Sequence, residues 1–261
     1  MSTTSFAVTD STTMLRRNLR HMQHNPSTLL YIIGIPVVFL LLFVYVFGNA
    51  LGTAVVNLPG GSQGYVNYLV PGLIVMTAAT GSLGTATSVF MDMSEGIISR
   101  FKTMAIFQPS ILVARVISSM FQTLVSMAVV IGVAVLTGFR PAATPVRWLA
   151  ATGLLAMVVF GLTWLAVAFG LSAKSVEVAS NLPFPFVLLP FVGSGIVPVA
   201  LMANGVKQFA EYQPFTPIIE TLRGLLMGTP IGNNAIISIA WCAGFTVIGY
   251  AWSIRKFGRG E

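Results

Sequence analysis

A stretch of 66 residues, from Pro26 to Met91, contains no Lys, Arg, Asp or Glu. In water-soluble domains about a quarter of all residues are charged. The whole chain of 261 residues has 14 basic and 7 acidic side chains, which make up 8% of the sequence. Because so few charges cannot cover a soluble surface, the sequence predicts an integral membrane protein.

The net charge of +7 does not indicate a protein that binds nucleic acid. Such a protein needs Lys and Arg clustered on one face, whereas here the basic residues flank apolar runs. Cys242 is the single cysteine and lies within the last apolar run, so an intrachain disulfide is excluded. A long polar leader precedes the first apolar run at Thr28, and we therefore expect no cleavable signal peptide.

Six apolar segments are long enough to cross a membrane, since a helix spans the hydrocarbon core in about 20 residues. The fifth is irregular, because it contains four prolines and an interior proline kinks or breaks a helix. We expect a broken or re-entrant element there, with extracellular re-entrant half-helices at 203–228. The chain is then a single transmembrane domain, 1–261, with spans at about 28–48, 68–91, 110–138, 148–173, 181–202 and 234–254.

The distribution of basic residues predicts the orientation. In a six-span chain, ten of the 14 cations lie on the side that holds both termini, which places the termini in the cytoplasm and the protein in the cell membrane. These ten are Arg16, Arg17, Arg20, Arg100, Lys102, Arg115, Lys174, Arg255, Lys256 and Arg259. The outer side has Arg140, Arg147, Lys207 and Arg223.

Two segments outside the spans have helical periodicity. In the leader at 10–24, apolar residues alternate at helical spacing with Arg16, Arg17 and Arg20, which predicts an amphipathic helix in the membrane interface. A charged leader that only fixes topology is the alternative. In the loop at 92–109, Ile97, Phe101 and other apolar residues recur at helical spacing, yet periodicity alone slightly favours a solvated connector over a docking helix.

Signals for catalysis are absent from the sequence. Glu220 and Arg223 have the i, i+3 spacing of a helical ion pair. Glu211 and Glu220 resemble an acid/base pair, but no His, Ser or Cys arrangement lies nearby, so a structural or gating role is favoured. No metal-ligand cluster and no phosphate-binding loop is present, so any energy for work must come from elsewhere. The spans contain no central ionisable residue, which disfavours an ion-coupled carrier.

Three segments of the chain have a distinctive residue pattern. The first is EGIISRFKTMAI at Glu95–Ile106, with Arg115 downstream. The second is LPFVGSGIVP at Leu189–Pro198, and the third is EYQPFTPIIETLR at Glu211–Arg223. Together they resemble the membrane subunits of type-2 ABC exporters, in the branch of daunorubicin/doxorubicin-resistance permeases. Their order, their spacing and the six-span plan match over nearly the whole chain. Ala105 departs from the family pattern, which has a proline there.

The resemblance implies an all-α integral membrane fold with an N-terminal elbow helix, a coupling helix and a broken fifth span. The elbow helix is 10–24, with Arg16, Arg17 and Arg20. The coupling helix is 92–109 and contacts the ATPase through Glu95, Gly96, Arg100, Phe101, Lys102 and Met104. The exit gate includes Pro190, Pro198, Glu211, Pro214, Pro217, Glu220 and Arg223.

The resemblance also implies the partners. Two ATP-binding subunits would hold ATP and Mg, and a second permease subunit, identical or related, would complete the transporter among membrane lipids. This chain itself would bind no cofactor and no metal. The polar groups expected near a transport path are uncharged, which favours a hydrophobic or amphipathic cargo, either an antibiotic-like drug or a lipid. They are Thr77, Thr80, Ser82, Thr85, Gln122 and Ser194. An ATP-independent carrier or channel and a membrane scaffold are the alternatives.

Overall fold

The computed structural model describes residues 26–48, 61–95 and 109–258, and these residues form helices with no β-strand among them. The predicted all-α class is therefore confirmed. The helices are α1 (Pro26–Leu41, continued by a π-helical turn at Leu42–Val46), α2 (Gly61–Ser94), α3 (Pro109–Leu136), α4 (Pro145–Ser172), α5 (Val176–Asn181), α6 (Phe184–Val192), α7 (Val206–Tyr212), α8 (Phe215–Met227) and α9 (Asn234–Gly258).

Within the described ranges, four helices are long and apolar enough to cross a membrane, namely α2, α3, α4 and α9. Two further apolar helical stretches are shorter, at Ile33–Val46 and Val176–Val192. They fall at the predicted first and fifth spans. The six-span count therefore stays a prediction, while the membrane-spanning character of the four long helices follows from their length and composition.

The helical path is broken where the prolines of the fifth segment lie. Pro183 immediately precedes α6 and Pro190 lies inside it, and the helix ends at Gly193 in extended backbone. After Pro198 the chain forms only a short 3-10 turn, at Val199–Leu201. Proline has no N–H and its ring clashes with the preceding turn. As a result, three short helical pieces (α5, α6 and the 3-10 turn) stand where one span would otherwise run.

The two ends of the bundle are defined by different contacts. At the first end, the backbone N–H of Arg140 in the α3–α4 loop donates to Asn67 Oδ1 on α2 at 3.0 Å. In the same loop, the N–H of Ala142 donates to the carbonyl of Leu226 at the end of α8, also at 3.0 Å. We call this the Arg223 end, after the arginine on α8 described below.

The opposite end contains a separate apolar cluster, to which α2, α3, α4 and α9 all contribute. We call it the Val89 cluster. Its buried members are Val89, Leu112, Val116, Trp164, Val167 and Leu171, and Phe257 packs against them. Residues 68 and 92 of α2 mark the two ends, and at 1.5 Å per residue they are about 36 Å apart, slightly more than the hydrocarbon thickness of a bilayer.

Helices α2 and α4 form the centre of the bundle, while α3 and α9 lie at its periphery with much of their apolar surface exposed. The contact between α4 and α9 is close because of glycine. A Cβ on Gly249 would lie 2.6 Å from the backbone N of Leu165, so the two helices touch through their backbones. Small residues permit this approach between membrane helices.

We predict that Gly249→Ala destabilises the α4–α9 contact, because the new methyl group has no space and the helices must separate. Overpacking of this kind costs about 1–3 kcal/mol, so the thermal midpoint of the detergent-solubilised protein should fall by several degrees. Gly244→Ala on the same helix is the matched control, because a Cβ there has nothing within 4 Å. Equal midpoints for the two variants would contradict the backbone contact.

Candidate functional site

The most unusual side chain at the Arg223 end is Arg223 itself, which is 6% exposed. Its Nη2 donates to the carbonyl of Ser194 at 2.7 Å and to the carbonyl of Tyr68 at 3.1 Å, and its Nε donates to the Tyr68 carbonyl at 3.3 Å. Its Nη1 pairs with the carboxylate of Glu220, as the i, i+3 spacing predicted. The burial of this cation is thus compensated by one carboxylate and two carbonyl groups.

Tyr68 contacts the arginine in a second way. The guanidinium carbon of Arg223 lies 3.7 Å from the centre of the Tyr68 ring, within the range of a cation–π interaction. The hydroxyl of Tyr68 donates to the Ser194 carbonyl at 3.0 Å. Ser194 follows the end of α6, where carbonyls lack helical partners. Its carbonyl accepts two hydrogen bonds instead, and α2, α8 and the segment after α6 are joined at one point.

Two glycines allow this junction to form. A Cβ on Gly72 would lie 2.6 Å from the Cα of Gly195, so α2 and the segment after α6 are in direct backbone contact. A Cβ on Gly195 would in turn collide with the carbonyl oxygen of Pro190. Any larger residue at either position would push the Ser194 carbonyl away from Arg223. We call Tyr68, Gly72, Ser194, Gly195, Glu220 and Arg223 the arginine junction.

A second polar contact ties the start of α8 to α6. Gln213, which is 4% exposed, donates from Nε2 to the carbonyl of Leu189 at 3.0 Å and to Thr216 Oγ1 at 3.2 Å. Phe215, in the first turn of α8, packs against Phe245 near the middle of α9. Helix α8 therefore begins at mid-depth of the bundle and runs toward the Arg223 end.

The predicted gate residues lie mainly around this region. Pro190 is in α6, Pro214 precedes α8 and Pro217 is buried in its first turn, while Pro198 begins the 3-10 turn. Glu211 differs, because it lies on the exposed part of α7. The ion pair of Glu220 with Arg223 agrees with a structural role for this carboxylate rather than a role as a general acid or base.

The predicted coupling and elbow residues lie mostly outside the described ranges. Glu95 is an exposed turn residue directly after α2. The remaining predicted coupling and elbow residues lie outside the described ranges, and they are Gly96, Arg100, Phe101, Lys102, Met104, Arg16, Arg17 and Arg20.

The expected polar path requires a correction. The hydroxyls of Thr77, Thr80, Ser82 and Thr85 donate to carbonyls of α2 itself, three or four residues earlier, and their side chains are buried inside the subunit. Ser and Thr in helices commonly make this local bond. These groups therefore belong to the packed core of this structure and do not line an open path.

Two functional features were missed by the sequence reasoning. Arg115, which the sequence shows only as one of the ten inner cations, forms an ion pair with Asp92, with Nη1 and Oδ2 3.2 Å apart. The signal for it was two opposite charges flanking one loop. The second feature is the use of Tyr68 and Ser194 carbonyls by Arg223, for which the sequence has no signal because every residue has a carbonyl.

Comparison with known proteins places this chain in a family. The family model described as ABC-2 type transporter matches residues 9–227. The chain belongs to the ABC-2 type transporter family. Its ABC-2 match includes the arginine junction, the Asp92–Arg115 pair and all the predicted site residues.

Curated relatives identify the branch of the ABC-2 family. The chain is 27% identical over 228 residues to the daunorubicin resistance ABC transporter permease protein of Streptomyces coeruleorubidus, an alignment that covers 85% of this chain and 77% of the relative. It is 24% identical over 241 residues to the "Probable doxorubicin resistance ABC transporter permease protein" of Mycobacterium tuberculosis, with 90% and 84% covered. The chain is thus an ABC-2 permease of the daunorubicin/doxorubicin-resistance branch.

Membership of the ABC-2 family shows which part of a transporter this chain is. The chain is a multi-pass membrane protein and a transport subunit rather than an enzyme, and ATPase activity belongs to a separate subunit. An ABC-2 permease associates with an ATP-binding subunit and dimerises.

We predict that Arg223→Lys destabilises this permease, because a single ammonium cannot reproduce the planar guanidinium contacts with two carbonyls, a carboxylate and a ring. The expected cost is about 2 kcal/mol, which corresponds to a fall of roughly 5 °C in thermal midpoint. Arg147→Lys is the matched control, since Arg147 is exposed on the first turn of α4. A midpoint for Arg223→Lys equal to that of the control would show that the junction contributes nothing to stability.

Proposed function

We propose that the chain is the permease subunit of an ATP-driven exporter that moves a hydrophobic or amphipathic compound out of the cytoplasm or inner leaflet. The observation that carries this proposal is the family match over residues 9–227, together with relatives named for daunorubicin and doxorubicin resistance. We favour a drug-like cargo over a lipid for the same reason. In the complete transporter, two permease subunits work with two ATP-binding subunits, which hold ATP and Mg.

The charge pattern of the bundle supports a transport mechanism that is not driven by an ion gradient. Among the described residues, Arg223 is the one charged side chain that is buried, and its charge is neutralised by Glu220. An ion-coupled carrier needs an ionisable group that can change its charge state inside the membrane. A cation fixed by a carboxylate, two carbonyls and an aromatic ring does not provide one, which disfavours the alternative of an ATP-independent carrier.

The segment 92–109 is proposed to be the coupling helix that docks on the ATPase. Its first three residues, 92–94, belong to the last turn of α2, and α2 is a central helix of the bundle, so a displacement of this segment would act on the core through α2. Phe101 and Met104 would insert into the partner, while Glu95, Arg100 and Lys102 would pair with its surface. Gly96 would belong to the same contact surface.

The outer gate is proposed to consist of the broken fifth segment and the half-helices of 203–228. Helix α8 begins at mid-depth beside Phe245 and ends near the start of α2, as expected for a re-entrant half-helix. The prolines at 190, 198, 214 and 217 divide the segment into short pieces that can move separately. ATP binding and hydrolysis would then alternate the paired subunits between inward- and outward-open states.

We predict ATP-dependent transport of daunorubicin into inside-out vesicles that contain this permease and its co-expressed ATP-binding subunit. Phe101→Ala should reduce transport at least several-fold and weaken co-purification of the two subunits, because it removes the aromatic anchor of the proposed coupling helix. Phe47→Ala is the control, because Phe47 is an exposed phenylalanine just after the π-helical turn that continues α1, outside the proposed coupling helix and gate. Transport that persists with a non-hydrolysable ATP analogue would contradict an ATP-driven exporter.

The orientation can be tested with single cysteines in a Cys242→Ser background. Asn204 and Glu177 are both exposed and lie outside the long helices. With both termini in the cytoplasm, Asn204→Cys should react with a membrane-impermeant maleimide in intact cells, whereas Glu177→Cys should react only after permeabilisation. The opposite labelling pattern would reverse the proposed orientation.

A further inference from the structure

The Asp92–Arg115 ion pair joins the two helices that flank the segment at 96–108. Asp92 lies in the last turn of α2 and Arg115 in the second turn of α3, and their side chains are 35% and 25% exposed. Since water still reaches both groups, the pair adds little to stability. Its geometric effect is larger, because it fixes the distance between the points at which the chain leaves α2 and enters α3.

The pair is next to an apolar contact between the same helices. Val89, one turn before Asp92, belongs to the Val89 cluster with Leu112 and Val116, which stand on either side of Arg115 in the sequence. Trp164 of α4 belongs to the same cluster. The ion pair therefore lies at the edge of the Val89 cluster and extends the contact between α2 and α3 toward the ends of these helices.

A third contact holds the two helices further inside the bundle. A Cβ on Gly81 of α2 would collide with the side-chain hydroxyl of Thr123 on α3, so the two helices approach closely at this level. Along α2, the contacts at residues 81, 89 and 92 cover about 16 Å. A pair of helices held at three levels cannot tilt or slide independently, and a force applied at its end moves both.

We propose that the Asp92–Arg115 pair is a positioning device that makes α2 and α3 one rigid lever, so that displacement of 96–108 by the ATPase is transmitted to the bundle. This inference rests on the proposed function, because it takes 96–108 as part of the coupling helix. Neither residue contacts the cargo or ATP. Without the pair, the end of α2 is held less firmly to α3, and part of the displacement is lost as bending.

The test measures daunorubicin transported per ATP hydrolysed in inside-out vesicles that contain the permease and its ATP-binding subunit. Asp92→Asn and Arg115→Gln should each lower this ratio about five-fold, within the range of coupling between contacting residues, while ATPase activity and co-purification stay near wild-type values. A purely structural defect would reduce the amount of transporter and leave the ratio unchanged.

The exchanged pair is the decisive variant. Asp92→Arg combined with Arg115→Asp restores opposite charges across the same gap, and we expect the ratio to return to within about two-fold of wild type. A doubly exchanged protein no better than the single variants would overturn the proposal. Lys174→Gln is the matched control, because it removes one exposed charge just beyond α4, which ends beside the Val89 cluster.

A cross-linking experiment distinguishes a lever from a pair that must open during transport. In a Cys242→Ser background, Asp92→Cys with Arg115→Cys can be joined by a short bifunctional thiol reagent. A rigid lever predicts that joining the two cysteines raises transport per ATP above that of the same variant before cross-linking, and an unchanged ratio would contradict it. Loss of transport on joining would overturn the proposal. The wild-type protein is measured in the same assay. If it shows no ATP-dependent transport, the proposed function is wrong, whatever the result for the cross-linked variant.

Discussion

The burial of Arg223 is the constraint on which the Arg223 end of this bundle depends. A guanidinium can stay in an apolar bundle only if its donors find acceptors, since an unpaired buried charge is strongly unfavourable. One acceptor is the neighbouring carboxylate of Glu220, but the others are backbone carbonyls of Tyr68 and Ser194. The break after α6 leaves the Ser194 carbonyl outside a regular helix, where it accepts from both Arg223 and Tyr68. The proline-rich break and the buried arginine are therefore joined in one hydrogen-bonded contact.

The long helices differ in how deeply they are buried and in how they pack. Helices α2 and α4 are buried over most of their length and touch their neighbours through glycines, whereas α3 and α9 expose broad apolar faces. Contacts through backbones leave little freedom for side chains to repack, so the central pair is the stiff part of the subunit. The part of the chain from α5 to α8 is instead divided into short helices by turns and prolines.

Much of this architecture could be predicted from the sequence, because it follows from composition and local chemistry. The long helices follow from charge-free runs, the break from four prolines, and the Glu220–Arg223 pair from a spacing of three residues. The carbonyl partners of Arg223 and the contact of Gly72 with Gly195 could not be predicted, since they depend on which backbone faces meet. The hydroxyls of α2 were misinterpreted because a Thr in a helix can satisfy itself from its own preceding turn.

The contact between Gly72 and Gly195 also restricts motion at the Arg223 end. Two backbones that meet without side chains between them approach more closely than packed side chains would allow. Moving the segment after α6 away from α2, or along it, breaks the hydrogen bonds of the Ser194 carbonyl to Arg223 and Tyr68 together. The junction therefore resists both motions, and a side chain at residue 72 would act as a wedge that separates the backbones and weakens these bonds.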